Sequence, residues 1–312
     1  MTAVREKRTG PAPFSGWIAW EGEGERFVAG RIVSPLVTGL VLASAAMHAS
    51  WNALLKGGSD RLRSVTVMAV TTSMLAGLGA LFLPAPWVAS WGCIALSAAL
   101  HVVYNLLLVA SYRHGDLGVS YPIARGTSPL LVAIGALVVA HERLDVLSLT
   151  GVGLISVGII GLAFESRKVL PSRALVPALL TGATIAAYTL ADGMGARLSG
   201  HSQAYAAWLF VSYGPAMLLI LIMWRGHGDH FRLDAEAAVS AFGGIVSMTA
   251  YAIVIWAASV SPMGPVSAVR ETGVVFAALF GRLFLNERLG PRRLAACTIV
   301  AMGAACLGYA HR

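Results

Sequence analysis

The sequence predicts an all-α polytopic membrane protein, with ten transmembrane helices arranged as two inverted five-helix repeats. Three observations carry this prediction. Hydrophobic residues make up 57% of the chain and charged residues 12%, against roughly 45–50% and about 25% in soluble domains, and mean hydropathy is +0.72. The apolar residues fall in runs of about twenty, the length that crosses a ~30 Å hydrocarbon core. One stretch also occurs twice, as Arg125-Gly-Thr-Ser-Pro-Leu and as Arg270-Glu-Thr-Gly-Val-Val. A Glu-Arg-Leu follows 17 residues on in both, from 125 to 142 and from 270 to 287. Beyond it Gly158 falls opposite Gly303, and Leu162 opposite Leu307, at the same offset of 145. A repeat this long predicts two halves of like architecture.

Residues 1–32 are polar, with Arg5, Lys7 and Arg8 and the acids Glu21, Glu23 and Glu25. They contain no apolar core before a cleavage site and are expected to be a disordered tail rather than a signal peptide. Apolar spans follow near 33–55, 64–84, 86–111, 117–140 and 145–163, then 174–197, 203–224, 235–258, 264–285 and 293–310. Breakers separate them: Gly57-Gly58, Pro84 with Pro86, Pro171, Gly226 with Gly228, Ser261-Pro262 and Gly290-Pro291. A basic linker at 165–173 divides a first repeat at 33–164 from a second at 174–312. Five spans per repeat is an odd number, so the second half must enter the membrane upside down, the plan of many secondary transporters.

The net charge of +8 is no sign of nucleic acid, because the basic residues lie mostly in short loops, where headgroups and topology rules explain them. Twelve Lys and Arg flank the odd loops and five the even loops and termini, which by the positive-inside rule places the odd loops in the cytoplasm. Cys93, Cys297 and Cys306 lie inside apolar runs without a CxxC spacing and are read as packing residues. Ala304-x-x-x-Gly308 predicts close helix packing, including against a second copy of the chain.

A charge inside the bilayer needs a partner, a wet cavity or a way to reach the interface. Arg125 stands about eight residues into its span, roughly 12 Å along a helix, and Arg270 takes the matching place. Snorkelling or a static ion pair would satisfy them. The alternative is that both face a cavity and hold an anionic group by forked hydrogen bonds. Glu271 has Gly126 as its counterpart, so it belongs to what makes the halves differ. Adjacent helical residues do not face each other, and Glu271 is therefore not expected to partner Arg270. Asp192 is the other membrane-buried acid. Either one could change charge, which makes Glu271 and Asp192 the candidate coupling groups.

Polar stripes at helical spacing add a lining. His48, Trp51 and Asn52 share one face of the first span, and His101, Tyr104 and Asn105 one face of the third. Tyr188 stands with Asp192 in the sixth span, and Tyr251 in the eighth. Glu142 and Glu287 sit at span ends beside Arg143 and Arg288, where local capping or pairing is the expected use. Enzyme motifs are missing: His141-Glu142-Arg143-Leu144-Asp145 lacks the second histidine of a zinc site. The sequence has neither a phosphate-binding P-loop nor a nucleophile elbow. No cofactor, metal or catalytic residue is expected.

The stretch His48-Ala-Ser-Trp-Asn-Ala-Leu-Leu-Lys56 and the two Arg-x-Thr…Glu-Arg-Leu segments resemble the EamA family of the drug/metabolite transporter superfamily, from Val33 to Tyr309, as two consecutive domains. The resemblance implies ten helices and a central cavity lined mainly by spans one, three, four, six, eight and nine. It implies export of small metabolites across the inner or plasma membrane. It also implies cytoplasmic termini, opposite to the charge count. The leading expectation is a secondary transporter working by alternating access. A membrane enzyme acting on a lipid or peptide is the alternative, and a pore or receptor a third.

Overall fold

The computed structural model describes residues 34–56, 60–114, 117–164, 172–226, 232–284 and 290–310. The polar tail, most of the linker, and Glu287 with Arg288 lie outside the described residues. Eleven α-helices make up the rest, and no strand occurs among the described residues. They are α1 (Pro35–Lys56), α2 (Arg61–Ala80), α3 (Trp91–His114), α4 (Leu117–Val139), α5 (Val146–Ala163) and α6 (Ser172–Leu198). They continue as α7 (Ser202–Arg225), α8 (Ala235–Val260), α9 (Met263–Glu271), α10 (Gly273–Phe284) and α11 (Pro291–Tyr309). Among the described residues eight segments are long and apolar enough to cross a membrane, the segment Met263–Phe280 running through the α9–α10 break. The protein is a multi-pass membrane protein. Its outward side chains agree, since Phe82, Leu149, Trp224 and Phe242 stand exposed where a soluble protein would place charge.

Local chemistry sets the helix ends. Asp60, Asp145 and Asp234 each cap a helix by accepting from the N–H three residues on. Gly200 turns α6 into α7 at φ +75° with Trp87 packed where a side chain would stand, so only glycine fits there. In α4, Pro129 cannot donate to the carbonyl of Arg125, one turn earlier, which loosens the helix beside that arginine.

Small residues set the packing, as expected where lipid supplies no hydrophobic drive between helices. α5 lies on α11 at backbone contact: a Cβ on Gly151 would stand 2.9 Å from the Gly303 carbonyl, and one on Gly303 would stand 2.8 Å from that of Gly151. Gly158 meets Ala296 and Val300 in the same groove. α2 lies on α7, where Gly214 approaches the Ala69 carbonyl and Ser73 donates to the carbonyl of Phe210 at 2.5 Å. α4 packs on α6 through Gly182 against Ala124, and α10 on α1 through Gly273 against the Ala45 carbonyl. α1 is tied to α8 by Ser44, which donates to the Ala250 carbonyl at 2.8 Å.

Each end of the bundle carries an ion-paired network. At one end Arg63 pairs with Asp234 at 2.9 Å and donates to the Arg232 carbonyl, while Arg225 pairs with Asp60. At the other, Arg197 pairs with Glu142 at 2.5 Å and donates to the Ser261 and Ala258 carbonyls. The second oxygen of Glu142 accepts from the N–H of Met263 at 2.8 Å. Glu142 thus has the structural use expected of it, but its partners are Arg197 and the first turn of α9 rather than Arg143. His141 makes this reach, since its φ of 52° turns the chain back on itself after α4.

Candidate functional site

The site begins at the break between α9 and α10. Arg-Glu-Thr-Gly at 270–273 is a poor helix continuation: the Thr272 hydroxyl bonds back to the Val269 carbonyl at 2.7 Å, and glycine follows. The break leaves Arg270 and Glu271 deep in the bundle, with 1% and 3% of their side chains exposed. Glu271 is held from two sides. Arg270 donates to Oε1 through Nε at 3.0 Å and Nη2 at 2.8 Å, and Arg125 donates through Nη1 to both oxygens at 3.2 and 3.0 Å.

This corrects one expectation: Glu271 does partner Arg270, although adjacent helical residues point apart. At the end of α9, where both side chains are buried, the attraction between two charges outweighs the cost of curling the arginine side chain back. The remaining nitrogen of Arg270, Nη1, lies 3.5 Å from the Thr189 hydroxyl. Two guanidiniums therefore share one carboxylate, leaving one surplus positive charge.

Beside this cluster lies a cavity of about 700 Å³, its mouth included. Helices of both halves line it. His48 and Trp51 come from α1, Tyr104 and Asn105 from α3, and Arg125 from α4; Tyr188 comes from α6 and Tyr251 from α8. The rings form one wall: His101 lies 4.2 Å from Tyr188, 5.3 Å from Tyr251 and 5.6 Å from Tyr213 between centroids, and Tyr104 meets Tyr188 edge-on at 5.7 Å. The indole N–H of Trp51 is buried and has no hydrogen-bond partner among the described residues. A smaller cavity of about 350 Å³ lies at the helix break, lined by His48, Tyr121, Arg125, Arg270 and Glu271.

The sequence-predicted residues thus divide. Arg125, His48, Trp51, Tyr104, Asn105, Tyr188 and Tyr251 come together around the larger cavity. Arg270 lines only the smaller one, with all three nitrogens engaged. The side chain of Asn52 lies outside the described residues. Asp192 stands behind the aromatic wall, accepting from Tyr251 at 2.5 Å and Tyr205 at 3.0 Å. Sequence reasoning missed Phe210 and Tyr213 of α7 and Met68 and Thr72 of α2, which also line the cavity. Phe210 and Tyr213 are three apart, the same spacing that singled out the other stripes. Among the described residues no group of three or more His, Cys, Asp or Glu could hold a metal ion.

Residues 172–309 match the model of the EamA-like transporter family. No curated protein matches the chain significantly. Among the solved structures that match, one crystal structure does so with 17% identity over 89% of this chain and 96% of its own, at a TM-score of 0.67. That likeness is one of fold.

Proposed function

We propose that the chain, whose residues 172–309 match the EamA-like transporter family, is a membrane transporter that exports or exchanges small metabolites by alternating access around the larger cavity. The observation that carries this is the cavity itself, built from α1–α4 of one half and α6–α8 of the other. A site shared between two halves changes its access when they rock against each other.

The packing supports two inverted repeats, at 33–164 and 174–312, and ten passes if α9 and α10 count as one interrupted pass. Along the α5–α11 contact the residues climb from 151 to 158 on one helix and descend from 303 to 296 on the other, so the helices run antiparallel. Each residue meets its repeat counterpart's neighbours: Gly158 meets Ala296 and Val300, and Gly303 meets Gly151 and Ile155. Two antiparallel helices exchanged by a two-fold axis place that axis across them, in the membrane plane. No side chain meets Gly308 of α11 among the described residues, which leaves room for a second copy.

Glu271 and Asp192 are the proposed coupling groups, since arginine stays charged at any working pH. The test is counterflow in proteoliposomes, with and without a pH gradient, using a mixture of labelled metabolites. Saturable exchange supports the reading. Conductance without saturation, or turnover of a lipid with no second compartment, overturns it. If Glu271→Gln and Asp192→Asn both keep the gradient response, neither acid couples.

A further inference from the structure

We propose that the larger cavity takes a flat aromatic monocarboxylate, with its carboxylate on Arg125 and its ring among the tyrosines. This rests on the reading of the cavity as a transport site and adds the chemical class of what enters it.

Arg125 reaches Glu271 through Nη1 alone, so Nε and Nη2 have no hydrogen-bond partner among the described residues. These two nitrogens form the edge that binds a carboxylate side-on with two parallel hydrogen bonds. The side chain is 8% exposed and lines the larger cavity as well as the smaller one. Arg270 offers no such edge, since its nitrogens are spent on Glu271 and Thr189. The local balance then sets the ligand's charge. Two guanidiniums and one carboxylate leave one positive charge, which a monoanion neutralises. A dianion would bring a second, unmatched charge into a low-dielectric site. Asp192 is not a member of this cluster, since its two oxygens accept from Tyr251 and Tyr205.

The walls set the body of the ligand. The rings of His101, Tyr104, Tyr188 and Tyr251 already contact one another edge-on and tilted, with centroids 4.2 to 5.9 Å apart. A further ring extends that arrangement, and an aliphatic chain does not. Ring faces attract cations, but Arg125 repels them from this cavity. The buried Trp51 Nε1–H, on the same lining, supplies a third donor for an acceptor on the ligand.

The test is equilibrium binding to the purified full chain in detergent, with 4-hydroxybenzoate and indole-3-acetate as probes. Their amides, tryptamine and hexanoate serve as comparisons. At least one aromatic acid is expected to bind, with its amide, tryptamine and hexanoate each weaker by about tenfold or more. Arg125→Lys should weaken the acids about tenfold and leave the amides unchanged, because a point charge cannot replace the fork. Trp51→Phe, which keeps the ring and removes the donor, should weaken the acids severalfold at an unchanged melting temperature. If Arg125→Lys does not fold, the acid–amide comparison and Trp51→Phe decide. The proposal is overturned if neither acid binds, or if an amide, tryptamine or hexanoate binds as tightly. Counterflow separates it from the reading beneath it. Acids that bind but do not exchange across the membrane sink the transport reading and keep the class. Exchange of another metabolite with no binding of the acids does the reverse.

Discussion

Glu271 sits between Arg125 and Arg270 with 3% of its side chain exposed, so removing its charge leaves two buried cations facing each other. Breaking a buried ion pair from one side costs about 3–5 kcal/mol, because the surviving charge stays desolvated. Glu271→Gln should therefore lower the melting temperature in mild detergent, and Arg270→Met with Glu271→Met should recover part of the loss. A double variant no more stable than Glu271→Gln would mean that the cluster does not act as an ion pair. Asp192 differs in kind, since its visible partners are neutral hydroxyls. Tyr251→Phe removes the 2.5 Å donor and should cost about 1–3 kcal/mol, the penalty of a buried acceptor left short of a partner. Thermal unfolding of the two variants side by side checks this ordering.

At the scale of elements, two devices hold the helices that flank the cavity. Glu142 closes the first turn of α9 and neutralises Arg197. Glu142→Ala should destabilise the chain by about 1–3 kcal/mol, and Glu142→Gln should restore part of that by returning an acceptor to Met263. Equal melting temperatures for the two would remove the capping role. At the opposite end, Asp234 caps α8 and pairs with Arg63. The hydrogen bond from Arg63, then that from the Ala237 N–H, hold its carboxyl below the usual carboxylate range. A carboxyl lowered on folding contributes stability above its unfolded value and loses it as pH falls through the folded one. Asp234→Asn should thus melt below the parent at neutral pH, with the gap closing well below pH ~4. A gap constant with pH would mean that the charge contributes nothing.

Across the whole molecule, the α5–α11 seam has no room for a side chain at Gly303. Gly303→Leu should cost about 1–3 kcal/mol through overpacking, and Gly161→Leu, where nothing lies within 4 Å, should cost little. Similar losses at both positions would show that the seam is not the constraint. The inverted plan makes a second global prediction. Single cysteines at Leu81, after α2, and at Arg232, in the matching place after α7, should label from opposite faces in intact cells once Cys93, Cys297 and Cys306 are replaced. Labelling of both from one face would sink the plan. The face that labels from outside also decides between the orientation implied by the loop charges and that implied by cytoplasmic termini.

The sequence by itself determined the membrane class, the positions of the helices and about half of the cavity lining. Hydropathy and helical periodicity are local properties, and α1 with its stripe His48 and Trp51 forms from them without reference to the rest of the chain. The repeat also marked Arg125 and Arg270 as a pair. Only the tertiary structure decided how that pair is used. Whether Glu271 faces Arg270 depends on a helix break and on burial inside the bundle, and neither follows from the spacing along the chain. The same holds for Glu142, which finds Arg197 rather than its neighbour Arg143 because the turn at His141 delivers it to α9. Asp192 looked like a cavity acid until Tyr251 and Tyr205 closed over it. Partners far apart in sequence are chosen by packing, and packing is where two like halves acquire different chemistry.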